Sequence, residues 1–159
     1  MGDKNNLNIT STGEVDKIIE ILEILNAKLK YIYLTHCHGD HIGGALELKQ
    51  KYGGQVVAQR MCATNLLDID KNLTSYIGIS GGLVIETDSR VDDNDLIHLG
   101  ELEFKVIHTP GHTSGCSCLY CESEGLLFSG DTLFRGTWGR TDVPTGDFDD
   151  IIGSITQKL

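Results

Sequence analysis

"THCHGDHIGG", residues 35–44, places three histidines and an aspartate within the six positions 36–41. The run before it, "YIYL" at 31–34, is aromatic and β-branched, the composition of a buried strand. Two glycines close the stretch. A strand that ends in several imidazoles has no common packing role, because every ring brings polar nitrogens that a core must satisfy. Imidazole nitrogen and carboxylate oxygen are instead ligands that zinc takes, and non-haem iron and manganese accept them as well. The stretch therefore reads as strand, ligand-bearing turn and helix start.

Working outward, Val15, Ile18, Ile19, Leu22 and Leu25 recur at steps of three and four, which predicts an amphipathic helix over 14–27. A second helix is predicted from Ile42 to Tyr52, stopped by Gly53-Gly54, with "QVVA" at 55–58 as the next strand. Residues 60–94 mix a short helical pattern with the loop-like "GISGG" and the acidic "ETDSRVDDND". Four extended runs follow, "LIHLG", "LEFKVIHT", "CSCLYC" and "GLLFSG", and "FDDIIGSITQKL" reads as a closing helix. Helix and strand alternate early and strands cluster late. That order predicts a mixed α/β fold, helices outside sheets, in one domain over residues 1–159.

A formal charge of -10 disfavours a nucleic-acid partner, since that affinity rests on Lys and Arg neutralising phosphates. No apolar run approaches the ~20 residues that span a bilayer, and "MGDKNNLNITSTGE" lacks the basic start and apolar stretch of a signal peptide, so a cytoplasmic protein without a membrane partner is expected. The five cysteines fit a disulfide framework poorly, being odd in number. In "CSCLYC" a strand puts Cys116 and Cys118 on one face and Cys121 on the other, so these read as buried thiols and not as a soft-metal site.

Two later segments also follow predicted strands, "HTPGHTSG" at 108–115 and "SGDTLF" at 129–134. Residues just past strand ends are where α/β folds bind ligands. His36 and His38, two apart in an extended turn, point the same way and suit one ion. Asp40 and His41 then face a neighbouring position, which implies a second ion, and Asp131 has the two oxygens needed to bridge the pair. Between the two later histidines, Pro110-Gly111 breaks any helix that would align them, so His112 is preferred as the ligand, with His108 as a donor behind it. His98 is read as structural.

"THCHGDHIGG", "HTPGHTSG" and "SGDTLFRGTWGRTD", in that order, resemble the metallo-β-lactamase superfamily, and within it the glyoxalase II-like branch of hydroxyacylglutathione hydrolases. The resemblance implies an αββα sandwich with the metal site at one edge. It assigns His36, His38 and His112 to the first metal, Asp40 and His41 to the second, and Asp131 to the bridge. It also gives Asp40 and Asp131 catalytic parts. Arg140 and Asp142 in "GRTD" read as a structural ion pair near the site. Two departures are expected to leave the sandwich incomplete at both edges. "NITSTGEVDKI" stands where the family has a strand pair and an Asp-Pro-Gly turn, and Leu159 falls short of the Gly-His-Gly turn whose histidine usually completes the second metal site. Uncovered sheet edges invite a second copy or a completing chain.

The expected cofactors are two divalent ions, zinc foremost, with iron or manganese as alternatives. The expected chemistry is hydrolysis of a small-molecule thioester, such as a hydroxyacylglutathione, by a metal-activated water, with Asp40 orienting the nucleophile. Two rivals remain: a mononuclear iron persulfide dioxygenase of the same fold, which needs fewer ligands, and a non-catalytic remnant. A β-lactamase is disfavoured, because those enzymes commonly carry cysteine at the position of Asp131.

Overall fold

The computed structural model describes residues 6–9 and 14–159. Four short strands, β1 (Asn6–Ile9), β2 (Lys28–Leu34), β3 (Gln55–Gln59) and β4 (Ser89–Val91), pair in chain order as a parallel sheet. Parallel neighbours need crossovers. These are α1 (Val15–Leu25), then α2 (Gly39–Ile42) with α3 (Ala45–Tyr52), then α4 (Arg60–Asn65). A second, antiparallel sheet has the order β5 (Leu96–Leu99), β6 (Leu102–His108), β7 (Ser117–Cys121) and β8 (Leu126–Phe128). A two-residue-per-strand hairpin, β9 (Leu133–Phe134) with β10 (Thr137–Trp138), leads to α5 (Phe148–Gln157).

Alternation along the strands divides the core in two. Ile32, Leu34, Val56 and Ala58 face the helices and pack with Leu22, Ile42, Leu48 and Ala63. Tyr33, Val57 and Val91 point the other way, into a layer shared with Phe104, Val106, Leu119 and Cys121 of the second sheet. The result is the expected α/β sandwich. On the side of the second sheet, α5 is fastened to the loop after β6, where Asp147 N–H donates to Gly111 O (2.8 Å) and Ser154 Oγ to Pro110 O (2.7 Å).

Two polar contacts join the sheets at the end of β2. Tyr33 Oη and Ser117 Oγ share a buried hydrogen bond of 2.7 Å, and Ser117 N–H donates to Thr35 O at 2.9 Å. Burial raises the Tyr33 phenol above its ordinary range, so it stays protonated. All five cysteines are free and buried; Cys121 lies in the intersheet layer with Leu119, on the face opposite to Cys118.

The structure departs from the sequence expectations in three places. The helix expected from Ile42 is two pieces, because the Gly43-Gly44 pair weakens helical continuity between the turn that holds Asp40 and the body of α3. β2 begins at Lys28, three residues before the apolar run, since pairing with β1 extends it. β4 lies inside the acidic stretch. Its attachment uses an acid: Asp88 accepts from Val56 N–H (2.8 Å) and from Lys49 Nζ (2.6 and 2.7 Å). Among the described residues, no helix is long and apolar enough to cross a membrane.

Gly115 sets the loop after β6 directly against the backbone of α4. A Cβ there would lie 2.2 Å from Cys62 N and 2.5 Å from Cys62 Cα, both backbone atoms that cannot swing aside. Gly115→Ala is expected to lower the free energy of unfolding by about 2–3 kcal/mol, the upper range for overpacking. Urea unfolding of the variant checks this; an unchanged midpoint would show that the contact is slack.

Candidate metal centre

Three strand ends build the site. β2 runs out at Leu34 and delivers His36 and His38; the first turn of α2 follows with Asp40 and His41. The β6–β7 loop brings His112, and the turn after β8 brings Asp131. His36, His38 and His112 are buried, at 0%, 5% and 4% exposure. Their ligand atoms lie within 4.8 Å of one another, and a second set within the same limit is His36, His41 and Asp131. Ring centroids are 4.2 Å apart for His36 and His41, and 4.6 Å for His38 and His112. Within the second set the Asp131 carboxylate is 3.2 Å from His41 Nε2, and it also reaches the first set, 3.7 Å from His112 Nε2. Asp40 stands apart from both. Its carboxylate is 3.8 Å from His41 Nε2 and largely exposed.

Hydrogen bonds set the tautomers. His112 Nδ1–H donates to Arg140 O at 2.7 Å, so Nε2 carries the lone pair and accepts from His38 Nδ1–H at 2.9 Å. A carbonyl behind a histidine is the usual support of a metal-binding imidazole. That leaves His38 Nε2, and with it His36 Nε2, buried with no hydrogen-bond partner. A buried polar nitrogen left unsatisfied costs about 1–3 kcal/mol. Two buried lone pairs within one cluster of imidazoles are what a cation would satisfy, so the residues fit a metal. Imidazoles with one carboxylate suit zinc, iron or manganese.

Protonation favours the same reading. Burial, then the neighbouring imidazoles, pushes His36 well below the ordinary histidine range. Burial and then His112 lower His38 to about 4. Both are neutral at pH 7, as ligands must be. For His41 burial acts downward, but the hydrogen bond and charge of Asp131 outweigh it and the net shift is upward. For Asp131 burial acts upward, and the histidines outweigh it, His41 foremost.

Other sequence candidates fall elsewhere. His108 Nε2–H donates to Ser114 O at 2.9 Å, bracing the loop that carries His112 without entering the cluster. His98 is exposed beside Glu103. Arg140 and Asp142 form an exposed two-point pair, 2.6 Å at each contact. Leu73, Ile77 and Val143, with Phe134 from the "SGDTLF" segment, join His38, Asp40, His112, Asp131 and Arg140 in lining a cavity of about 410 Å³ over the centre. Nothing local in the sequence marks the first three. Leu73 has a left-handed backbone, φ 58°, which costs a branched residue about 1–2 kcal/mol. Gly139 is required by contact: a Cβ would lie 2.0 Å from Asp131 O.

A two-layered α/β sandwich with a histidine-rich cluster at its strand ends defines a metal-binding hydrolase class, and the comparisons agree. Residues 10–159 match the model of the metallo-beta-lactamase superfamily, and the chain belongs to that family. It is 32% identical over 158 residues to the hydroxyacylglutathione hydrolase GloC of Haemophilus influenzae, spanning 99% of this chain and 74% of that one. The crystal structure of BLEG-1 B3 metallo-beta-lactamase superposes with a TM-score of 0.87 at 30% identity, over 99% of this chain and 76% of that one. TTHA1623, solved in a di-iron-bound form, gives 0.75 at 26% identity, over 91% and 70%.

The depressed histidines have a consequence for the metal-free chain. The unfolded state takes up their protons below about pH 6.5, whereas the folded state resists until about pH 4 for His38. Stability is therefore present above pH 6.5 and lost as pH falls toward 4. For His38 alone the loss is about 3 kcal/mol. His41 has the opposite sign: raised, it stabilises below its unfolded value and gives that up as pH rises. Urea unfolding across this range should show an acid limb that His38→Gln flattens; parallel curves for the two proteins would contradict the assignment.

Proposed function

We propose that the chain is a metal-dependent thioester hydrolase, acting on acyl-thiols of the hydroxyacylglutathione kind. The observation that carries this is the pair of buried, unsatisfied nitrogens, His36 Nε2 and His38 Nε2, beside a cavity at the ends of the strands. The 32% identity to GloC of Haemophilus influenzae supplies the substrate class. In this reading His36, His38 and His112 hold one ion, while His41 and Asp131 with His36 or Asp40 hold the second. Divalent ions held by these residues would polarise a carbonyl and acidify water.

The chain's own groups do the rest. Asp40, exposed beside His41, accepts the proton of the attacking water. Asp131 keeps its negative charge within reach of both sets of ligands. Arg140 O holds His112 in the tautomer whose Nε2 faces the cavity. Loss of thiolate needs little acid assistance, so no further donor is required.

The test is turnover of S-lactoylglutathione, followed by thiol release, with zinc, iron or manganese added to metal-stripped protein. Activity should return with metal and disappear with chelator. Asp131→Ala should cost more than the ~10–100-fold typical of an outer-sphere partner. Hydrolysis that survives chelation would refute the proposal. A second reading, single-iron oxygen chemistry on a persulfide, is favoured by the completeness of the buried His36, His38 and His112 set. It predicts one iron per chain and oxygen uptake in place of thioester loss. Because several structural neighbours, BLEG-1 among them, are named metallo-beta-lactamases, a β-lactam belongs in the same assay.

A further inference from the structure

The cavity over the centre joins reactive polar groups to apolar ones. Leu73 and Ile77, from the connection between α4 and β4, line it together with Phe134 and Val143. Ile77 is 50% exposed, yet its Cδ1 fills the space directly over Gly39, 2.5 Å from where a Cβ would stand.

The connection is held by a buried asparagine. Asn72, with no exposure, donates from Nδ2 to Leu66 O (3.2 Å) and Leu83 O (2.7 Å), and its Oδ1 accepts from Thr74 N–H (3.0 Å) and Thr74 Oγ1 (2.7 Å). Its carbonyl accepts Gly39 N–H at 2.8 Å, which fastens the connection to the turn that carries Asp40 and His41. Leu73, next in sequence, takes its left-handed conformation at this anchor. Backbone strain next to a cavity is a pointer to function. Here it turns an apolar side chain toward the reacting centre.

Charge points the same way. Among the described residues, the Lys or Arg side chain lining the cavity is Arg140, and Asp142 engages its guanidinium through Nε and Nη2. Away from the metal ligands, a substrate carboxylate meets no unpaired side-chain cation among the described lining residues, whereas a hydrocarbon group meets matching surface. Ile77 sits over Gly39, between His38 and Asp40, and Leu73 lines the same cavity, so the apolar surface lies beside the candidate ligands.

We propose that Leu73 and Ile77 form an acyl-binding wall, so that among acyl-thiols the chain turns over those with a longer apolar acyl group faster than the short hydroxyacyl ones. This rests on the thioester hydrolase reading above. The reaction is R–CO–S–R′ + H₂O → R–COOH + R′–SH: the C–S bond breaks, water's oxygen forms the new C–O bond, and one water proton ends on the leaving sulfur. The wall takes R.

The experiment pairs binding with turnover. Binding uses ketone analogues in which CH₂ replaces the thioester sulfur, acetyl to octanoyl on one thiol skeleton, measured by calorimetry on metal-free and metal-loaded chain. Each methylene the wall covers should tighten binding by up to about fourfold, and kcat/KM of the matching thioesters should rise in parallel. Ile77→Ser, at a half-exposed site, and Leu73→Asn, a residue that tolerates positive φ, should erase the length dependence of binding and of kcat/KM, and urea unfolding of each variant should still show one cooperative transition. A flat series, or a slope that both variants keep, overturns the wall. A slope that appears only when the thiol side is lengthened overturns its assignment to the acyl group. Length-dependent binding that the variants abolish, with no turnover of any thioester, leaves the wall standing and refutes the hydrolase reading.

Discussion

Thr35 is the seam on which the site depends. Its carbonyl accepts Ser117 N–H and so joins the end of β2 to the start of β7. Its side chain lies against Gly130, where a Cβ would come within 2.5 Å of Thr35 Oγ1, and this brings the turn with Asp131 onto the strand end. Its hydroxyl also reaches His36 Nδ1 at 3.3 Å. One residue thus meets the strand that leads to His36 and His38, the strand that follows the His112 loop, and the turn before Asp131. Splaying the two sheets at this point would separate the donors while leaving most of the apolar layers intact.

Around that seam the protein holds a group of side chains that stability alone would not assemble. His36, His38 and His112 are buried against one another, two of their nitrogens lack partners, and Gly139 and Leu73 are constrained close by. Each feature opposes folding of the metal-free chain. The remainder of the domain offsets them with ordinary means, a helix-facing apolar layer and an intersheet layer. This division, strain concentrated at the cavity and regular packing elsewhere, is the pattern expected of a functional site on a rigid base.

Much of this was legible in the sequence. The 3.6-residue period of Val15 to Leu25 predicted α1, and Asn26 ends it in the left-handed conformation that asparagine tolerates. The extended runs from residue 96 onward became β5 to β8 nearly as read. β4 was hidden because its residues are polar and its strand character comes from pairing with β3. The Gly43-Gly44 break was visible as two letters, but its effect depended on α2 having to turn its side chains toward the cavity. His112 was preferred over His108 from the intervening Pro-Gly, and the structure puts His112 in the cluster and His108 on the loop behind it.

By itself the sequence determined the donors: which imidazoles and carboxylates stand at strand ends, and that His36 and His38 share a side, because spacing along an extended turn is a local property. Only the tertiary structure decided how they converge. His38 meets His112 across 74 positions of chain, and His36 belongs to both sets of ligand atoms. The apolar wall is likewise tertiary. Leu73 and Ile77 carry no local signal, and they face the centre because a buried asparagine far along the chain ties their loop to Gly39. Contacts between distant segments are set by the whole packed fold, and no stretch of neighbouring residues encodes them.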